Sequence, residues 1–103
     1  MHALVSKVHI ERDDAEDRKN LTENVAPNVA KSPGFVAGYW LEAADDGEAM
    51  SVVFFDSEAS AKAGAEMAKQ FFASDQAPRA VRLKSTEVRG VAAKSWRYDE
   101  SGQ

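Results

Sequence analysis

The segment from Glu48 to Asp56 constrains the fold of this chain more than any other. Its alternation is typical of a β-strand, yet large apolar side chains fall on both of its faces. One face carries Met50, Val52 and Phe54, and the other carries Val53 and Phe55. A strand that is apolar on both faces is covered on both faces. We therefore expect helices on one side of the sheet and a second covering element on the other.

The segment after the first predicted strand, residues 2–10, has the pattern of an interrupted helix. Asp13 and Glu16 have the spacing of a capping box, which starts a helix. Apolar side chains then recur every four residues and predict a buried stripe of Leu21, Val25 and Val29. Pro27 lacks an amide hydrogen and its ring clashes with the preceding turn, so we expect a kink or break near residues 24–26.

The second predicted strand follows a turn at residues 32–34 and runs from Phe35 to Ala43. Alternation places Phe35 and Tyr39 on one face and Trp40 on the other. Gly38 has no side chain, so we expect a bulky neighbour against it or a bend in the strand.

The second helix and the fourth strand complete the pattern. Asp56 or Ser57 is the expected N-cap of the helix. Mostly small residues form its buried stripe, which suits close packing on a sheet: Ala61, Ala65, Ala68 and Phe72. The fourth strand is predicted over residues 80–91, and a change of phase between Leu83 and Val88 indicates a bulge or bend.

The order of these elements, β-α-β-β-α-β, is that of the ferredoxin-like α+β fold. We assign residues 1–94 to one domain and residues 95–103 to a C-terminal tail, in which Trp96 and Tyr98 could contact a partner. A chain of 103 residues has too little mass to cover both faces of its sheet. A second copy is the simplest cover, which predicts a homodimer through the sheet faces.

Composition excludes several kinds of site and partner. The chain has no cysteine, which excludes disulfides, thiolate metal sites and a cysteine nucleophile. Its net charge of −4 argues against nucleic acid as a partner, and we interpret the basic residues between positions 79 and 97 as strand charges beside acidic helix ends. We see no secretory signal, and the longest strongly apolar run, residues 52–55, is too short for a membrane helix. We therefore expect a cytoplasmic protein without a membrane partner.

Three stretches carry a resemblance to a known superfamily: residues 24–29 (NVAPNV), 32–40 (SPGFVAGYW) and 52–61 (VVFFDSEASA). The chain resembles the dimeric α+β barrel superfamily over about residues 2–92, and in particular its antibiotic-biosynthesis monooxygenase-like proteins. The resemblance implies a dimer in which two sheets close into a barrel, with a site between each sheet and its helices. It also implies oxygenase chemistry without a cofactor.

Two positions differ from the enzymes of that superfamily. Their third strand often ends with an aromatic residue, commonly tryptophan, and in this chain Phe55 takes that place. Many of them carry a histidine shortly after the second helix begins, whereas residues 59–65 contain none. The polar residues with which those enzymes bind and activate a phenolic substrate are therefore not recovered.

His9 is the candidate catalytic residue, because an imidazole ordinarily titrates near neutral pH and suits a general base. The alternative is a partly exposed histidine at a strand end that bonds to Asp13 or Asp14. His2 and His9 point to opposite faces of a strand and no third ligand is evident, so we expect no metal site.

Five further residues are candidate ligand contacts. Trp40 would stack on an aromatic ligand and Tyr39 and Phe55 would line the same kind of pocket, or all three are core or interface residues. Arg82 would bind a carboxylate or phenolate, or it is a solvated edge charge. Asn24 would direct its amide at a ligand, or it satisfies carbonyls that Pro27 frees.

Two functions follow. The first is a cofactor-independent monooxygenase-like enzyme that acts on a small aromatic or polyketide-like compound in an apolar pocket. The second is a non-catalytic ligand-binding or structural dimer. A pocket with polar side chains facing inward favours the first function, and a space filled by Phe, Met and Val side chains favours the second.

Overall fold

Four antiparallel strands form one sheet in the computed structural model of this chain, which describes residues 1–12 and 15–95. The sheet order is β2-β3-β1-β4, with the strands β1 (His2–Ile10), β2 (Phe35–Trp40), β3 (Glu48–Phe55) and β4 (Val81–Gly90). The helices are α1 (Ala15–Asn20), α2 (Ala26–Val29) and α3 (Glu58–Phe72). This arrangement confirms the predicted ferredoxin-like α+β fold. Among the described residues, no helix is long and apolar enough to cross a membrane.

Helix α3 packs tightly on the sheet through small residues. Ser57 is its N-cap, and its side chain accepts a hydrogen bond from the Ser60 amide at 3.1 Å. Ala61 and Ala65 are buried against Phe55, whose exposed fraction is 1%. A Cβ atom added at Gly64 would lie 2.8 Å from Cζ of Phe55, so the absence of a side chain there permits the approach. The predicted small-residue stripe thus forms this side of the core.

Residues 15–29 form a helical path that never becomes buried. Its middle, Leu21–Val25, is a π-helical turn in which the amide of Ala26 donates to the carbonyl of Leu21, five residues back. The widened turn directly precedes Pro27, whose ring would clash with the carbonyl of a regular preceding turn. The predicted interruption therefore takes the form of a π turn. The predicted buried stripe is wrong in degree, because its residues, Leu21, Val25 and Val29, are only half-buried.

Strand β2 differs from strict alternation at its start. The pairing of β2 with β3 shifts register between Phe35 and Ala37, so Phe35 lies with Trp40 on the helix-facing side. The Phe35 ring meets the Phe55 ring edge-on, with centroids 6.5 Å apart. The predicted shared face of Phe35 and Tyr39 is therefore wrong. The predicted bulky neighbour of Gly38 is confirmed, since the Trp40 ring would lie 3.0 Å from a Cβ there.

Strand β4 carries the predicted bulge and three of the six basic residues between positions 79 and 97. Its pairing with β1 shifts register between Lys7 and Val8, which are opposite Ser85 and Leu83. The predicted acidic helix ends supply only one of the carboxylates that pair with β4, since two of the three lie on strands: Arg82 pairs with Glu11 at 3.8 Å, Lys84 with Glu48 at 2.7 Å and Arg89 with Glu87 at 2.8 Å.

Among residues 1–12 and 15–95, no helix or strand covers the face of the sheet away from the helices. Val52 lies between Val5 of β1 and Tyr39 of β2, and Tyr39 is 60% exposed. Phe54 follows on the same side and is only half-buried. The doubly apolar character of β3 is thus confirmed, with one face under helices. We call this uncovered side the open face.

A charged cluster lies at one end of the open face. Nδ1 of His9 lies 2.7 Å from a carboxylate oxygen of Glu48, and Nζ of Lys84 donates to the other oxygen at 2.7 Å. The hydrogen bond from Lys84, followed by the one from His9, holds the pKa of Glu48 below its ordinary value of 4.5. His9 thus has a partner from β3. Asp13 and Asp14, the partners expected from the sequence, lie outside the described residues.

The contact between Gly64 and Phe55 predicts that Gly64→Ala destabilises the protein. Inside a helix this change alone would stabilise by about 0.5–1 kcal/mol. The new methyl group would press on a buried ring, and overpacking of this kind costs about 1–3 kcal/mol. We expect a net loss of about 1 kcal/mol in urea unfolding at unchanged m-value. Ala63→Ser, at an exposed position of the same helix, is the control, and a stabilised Gly64→Ala variant would contradict the packing argument.

The charged cluster predicts an acid-sensitive contribution of Glu48. Because the pKa of Glu48 is lowered in the folded state, its stabilising contribution is present above 4.5 and is lost as pH falls through the folded-state pKa. Glu48→Gln should therefore show a smaller fall of Tm than the parent protein between pH ~6 and ~3. Glu23→Gln, which removes an exposed helical carboxylate, is the control. Equal acid sensitivity of Glu48→Gln and the parent would refute this role.

Candidate functional site

A cleft of about 790 Å³ separates residues 15–29 from the helix-facing side of the sheet. It lies between the sheet and its helices, where the superfamily resemblance places a site. Its volume falls within the range of about 300–1,000 Å³ that is typical of small-molecule sites. Because the helical path has no buried residue, this space is not filled by side chains. The cleft is therefore the candidate functional site.

Most of the cleft wall is apolar. The sheet supplies Leu4, Val53 and Phe55 to its floor, and the helical path supplies half-buried residues to the opposite wall. The far half of α3 closes one side with Met67, Phe71 and Phe72. Trp40 lies at the β2 edge of the floor, where its ring is held against Gly38. A flat aromatic compound fits such walls better than a strongly charged one.

One row of the floor is polar. Strand pairing places Ser6 of β1 between Ser51 of β3 and Thr86 of β4, and Ser51 is in turn opposite Trp40. The rows on both sides are apolar: Leu4 with Val53 and Val88, then Val8 with Ala49 and Leu83. Ser6 is 7% exposed and lines the cleft together with Ser51. We call Trp40, Ser51, Ser6 and Thr86 the polar row.

The opposite wall carries asparagines from the helical path. Asn20, Asn24 and Asn28 all line the cleft, and Nδ2 of Asn24 donates to Oδ1 of Asn20 at 2.8 Å. Arg18 and Glu42, 3.6 Å apart, join the helical path to the segment after β2, and both line the cleft. Both are well exposed, so this ion pair contributes little stability.

The structure brings together some of the residues predicted from sequence. Trp40, Phe55 and Asn24 line the cleft. Tyr39 and Arg82 alternate with the cleft residues Trp40 and Val81, so they lie on the open face. His9 lies between Val8 and Ile10, both cleft residues, and it too faces the open side, with Glu48. The three residues therefore do not contribute to this cleft.

Sequence reasoning did not single out Ser6 and Ser51. Ser6 interrupts a strand face that otherwise reads Leu4, Val8 and Ile10, and this interruption was a usable signal. The sequence signal of Ser51 is weaker: this serine lies on the same strand face as Val53 and Phe55, the two large apolar residues of β3 that face the helices.

Metal chemistry has no support in the described part of the chain. Within residues 1–12 and 15–95, no group of three or more His, Asp or Glu side chains is arranged to hold a metal ion. Nor does any histidine described by the structure line the cleft, whose charged residues, Arg12, Asp17, Arg18 and Glu42, come from the helical path and the segments beside it.

Solved structures share the fold. MhuD, a heme-degrading protein from Mycobacterium tuberculosis determined with two hemes in its active site, has a TM-score of 0.63 and 21% identity over 90% of this chain and 99% of its own. An MhuD mutant with two manganese protoporphyrin IX molecules per active site has a TM-score of 0.64 and 15% identity over 93% and 99%. At such identities the likeness shows the fold alone. No curated protein sequence matches this chain significantly.

The cleft residues do not fit a heme with one of the common axial ligands. Histidine, cysteine, tyrosine and methionine are the usual ligands of heme iron. The chain has no cysteine, and among the described residues His2, His9 and Tyr39 are not part of the cleft. Met67 lines it but is 57% exposed at the surface of α3. We therefore derive no chemistry through a heme.

The sequence also matches a family model. Residues 5–101 match the model described as "Putative mono-oxygenase ydhR". The match spans nearly the whole chain of 103 residues, including all of β2, β3, β4 and α3. It agrees with the ferredoxin-like sheet and with the resemblance to antibiotic-biosynthesis monooxygenase-like proteins. The chain therefore belongs to the ydhR mono-oxygenase family.

Proposed function

We propose that this chain binds a small aromatic or polyketide-like compound in the cleft and acts on it as a monooxygenase-like protein without a cofactor. The observation that carries the proposal is the cleft itself: a space of about 790 Å³, mostly apolar, with Trp40 and a polar row in its floor. Membership of the ydhR family supports the reaction class. The inward-facing polar groups support a bound ligand over a filled core.

Oxygenation without a cofactor sets a simple requirement for the site. The substrate itself must supply electrons to dioxygen, so it is best bound as an electron-rich phenolate or enolate. The protein then has to hold that anion and exclude water around it. Trp40, Ser51 and Ser6 offer hydrogen-bond donors on an apolar floor.

A non-catalytic ligand-binding dimer is the second candidate. The absence of an imidazole from the described cleft residues favours it, because a neutral phenol then has no histidine base to take its proton. The two candidates share the bound ligand and differ only in the consumption of oxygen.

We also propose that the working form is a homodimer through the open face. That face has an apolar centre that no described helix or strand covers, formed by Val5, Val52, Phe54 and Tyr39. A monomer rarely exposes a contiguous apolar surface of this kind. A second copy presents the same residues in return and therefore forms a self-complementary contact.

The proposed binding site predicts that Trp40→Ala weakens binding of 1-naphthol. Removing a large aromatic wall from a binding pocket costs about tenfold or more in affinity. Isothermal titration calorimetry measures the change. Tyr39→Ala is the matched control, since it removes the neighbouring aromatic side chain from the opposite face. Equal losses in both variants, or no binding to the parent protein, would contradict the proposed site.

An oxygen electrode separates the two candidate functions. A monooxygenase-like enzyme should consume oxygen with 1-naphthol or a hydroxyanthrone faster than the compound does alone, and Trp40→Ala should abolish the excess. Binding of both compounds without excess oxygen uptake would support the non-catalytic candidate.

The proposed dimer predicts a change of mass on Val52→Lys. Light scattering coupled to size-exclusion chromatography should give twice the chain mass for the parent protein at micromolar concentration. A lysine at the centre of the open face would place like charges together across the interface, so we expect the variant to be monomeric and folded. Ala59→Lys, on exposed α3 surface, should stay dimeric. A monomeric parent protein would refute the proposed assembly.

A further inference from the structure

The polar row contains hydrogen-bonding groups that no other part of the described chain satisfies. Ser6 is only 7% exposed. Within residues 1–12 and 15–95, its hydroxyl nevertheless has no hydrogen-bond partner. The hydroxyl of Ser51 and the indole N–H of Trp40 also lack a partner among the described residues. All three residues line the cleft. Ser51 and Trp40 are only partly buried, so these groups are presented to the cleft, where a ligand or water can bond to them.

A purely structural role does not explain these residues. Cross-strand Ser and Thr pairs stabilise a sheet when their hydroxyls bond to one another, but no such bond joins Ser6 to its neighbours Ser51 and Thr86. Serine is also a poor strand residue compared with the valines and leucines of the adjacent rows. An apolar residue at position 6 would continue the core formed by Leu4 and Val53. The serine therefore gives up packing without gaining an internal hydrogen bond.

We infer that the polar row recognises a single acceptor oxygen, a ring carbonyl or phenolate, on the aromatic ligand of the cleft. This inference rests on the proposed function and names the ligand group that the site selects. The indole of Trp40 only donates, and the hydroxyls of Ser6 and Ser51 are able to donate as well. Donors on neighbouring strands then converge on one oxygen over the floor, while the apolar rows on both sides contact the ring carbons. Ser6 lies at the buried centre of the row and is the principal specificity-determining residue.

A matched pair of bicyclic probes isolates this contact. 1-Tetralone and tetralin have the same fused rings and differ in one carbonyl oxygen. A site built to bond that oxygen discriminates against the analogue without it. We expect Ser6→Ala to lower the affinity ratio of 1-tetralone to tetralin about fivefold relative to the parent protein, as one lost hydrogen bond requires. Ser6→Thr keeps the hydroxyl and should restore the ratio to within about twofold of the parent value.

Two further readouts separate recognition from a general effect on folding. Ser85→Ala makes the same change on exposed β4 surface outside the cleft and should leave the ratio unchanged. The Tm of ligand-free Ser6→Ala should be unchanged or higher, because the substitution removes no hydrogen bond within the described chain. In the infrared, the carbonyl stretch of bound 1-tetralone should lie at a higher frequency in Ser6→Ala than in the parent protein, since a hydrogen bond weakens the C=O bond.

The outcomes separate this inference from the proposed function. If neither probe binds the parent protein, the proposed function fails and the inference fails with it. If both bind and Ser6→Ala leaves the ratio and the carbonyl frequency unchanged, the cleft stands and the inference is overturned. A fivefold fall in the ratio with unchanged Tm, restored by Ser6→Thr, supports it.

Discussion

The contact of α3 with the sheet at Gly64 and Phe55 is the interaction on which the rest of the structure depends. Full burial of a phenylalanine contributes about 1.5–3 kcal/mol, and Phe55 achieves it because Gly64, Ala61 and Ala65 bring the helix axis close. Residues 15–29 have no comparable contact and no buried side chain. Helix α3 thus packs on the sheet and forms the core, whereas residues 15–29 lie farther from the sheet and leave the cleft. A second tightly packed helix would have stabilised the fold and removed the site.

The elements of the fold could be predicted because their signals are local. Alternation in β3, the small stripe of α3 and the Ser57 cap depend on residues near one another in the chain. The errors arose where the orientation or burial of a side chain depends on pairing or packing between segments that are distant in the sequence. The bulge beside Phe35 turned its ring toward Phe55, which lies on another strand. Likewise, the periodicity of residues 15–29 indicates an apolar stripe, but it cannot state how far that stripe stands from the sheet.

The candidate site was predictable to the extent that residue type indicates it. Trp40, Phe55 and Asn24 are types common in ligand pockets, and they line the cleft. His9 and Arg82 are residue types equally common in functional sites. Each is adjacent in sequence to a residue that lines the cleft, so alternation along the strand places it on the open face, where His9 contacts Glu48 and Arg82 contacts Glu11. Residue type therefore indicated the candidates, and the alternation of the strands decided which of those on the sheet line the cleft and which lie on the open face. Ser6 was missed for the opposite reason: serine is ordinary at almost any surface, and its only signal in the sequence was the apolar strand face that it interrupts.

Register also fixes where the polar row can lie. The two faces of the sheet are built from alternate residues of the same strands, so a slip of one residue in β1 would exchange Ser6 for Val5 or Lys7 in the cleft. It would bring Ser6 to the open face, where a polar residue would interrupt the apolar centre formed with Val52. A slip of two residues would put Leu4 or Val8 in the row and leave Ser51 opposite an aliphatic side chain. The apolar residues of both faces thus fix the register that holds Ser6 and Ser51 in the cleft. The position of the hydrogen-bonding groups therefore follows from the apolar residues on both faces of β3, the feature from which two covered faces were predicted.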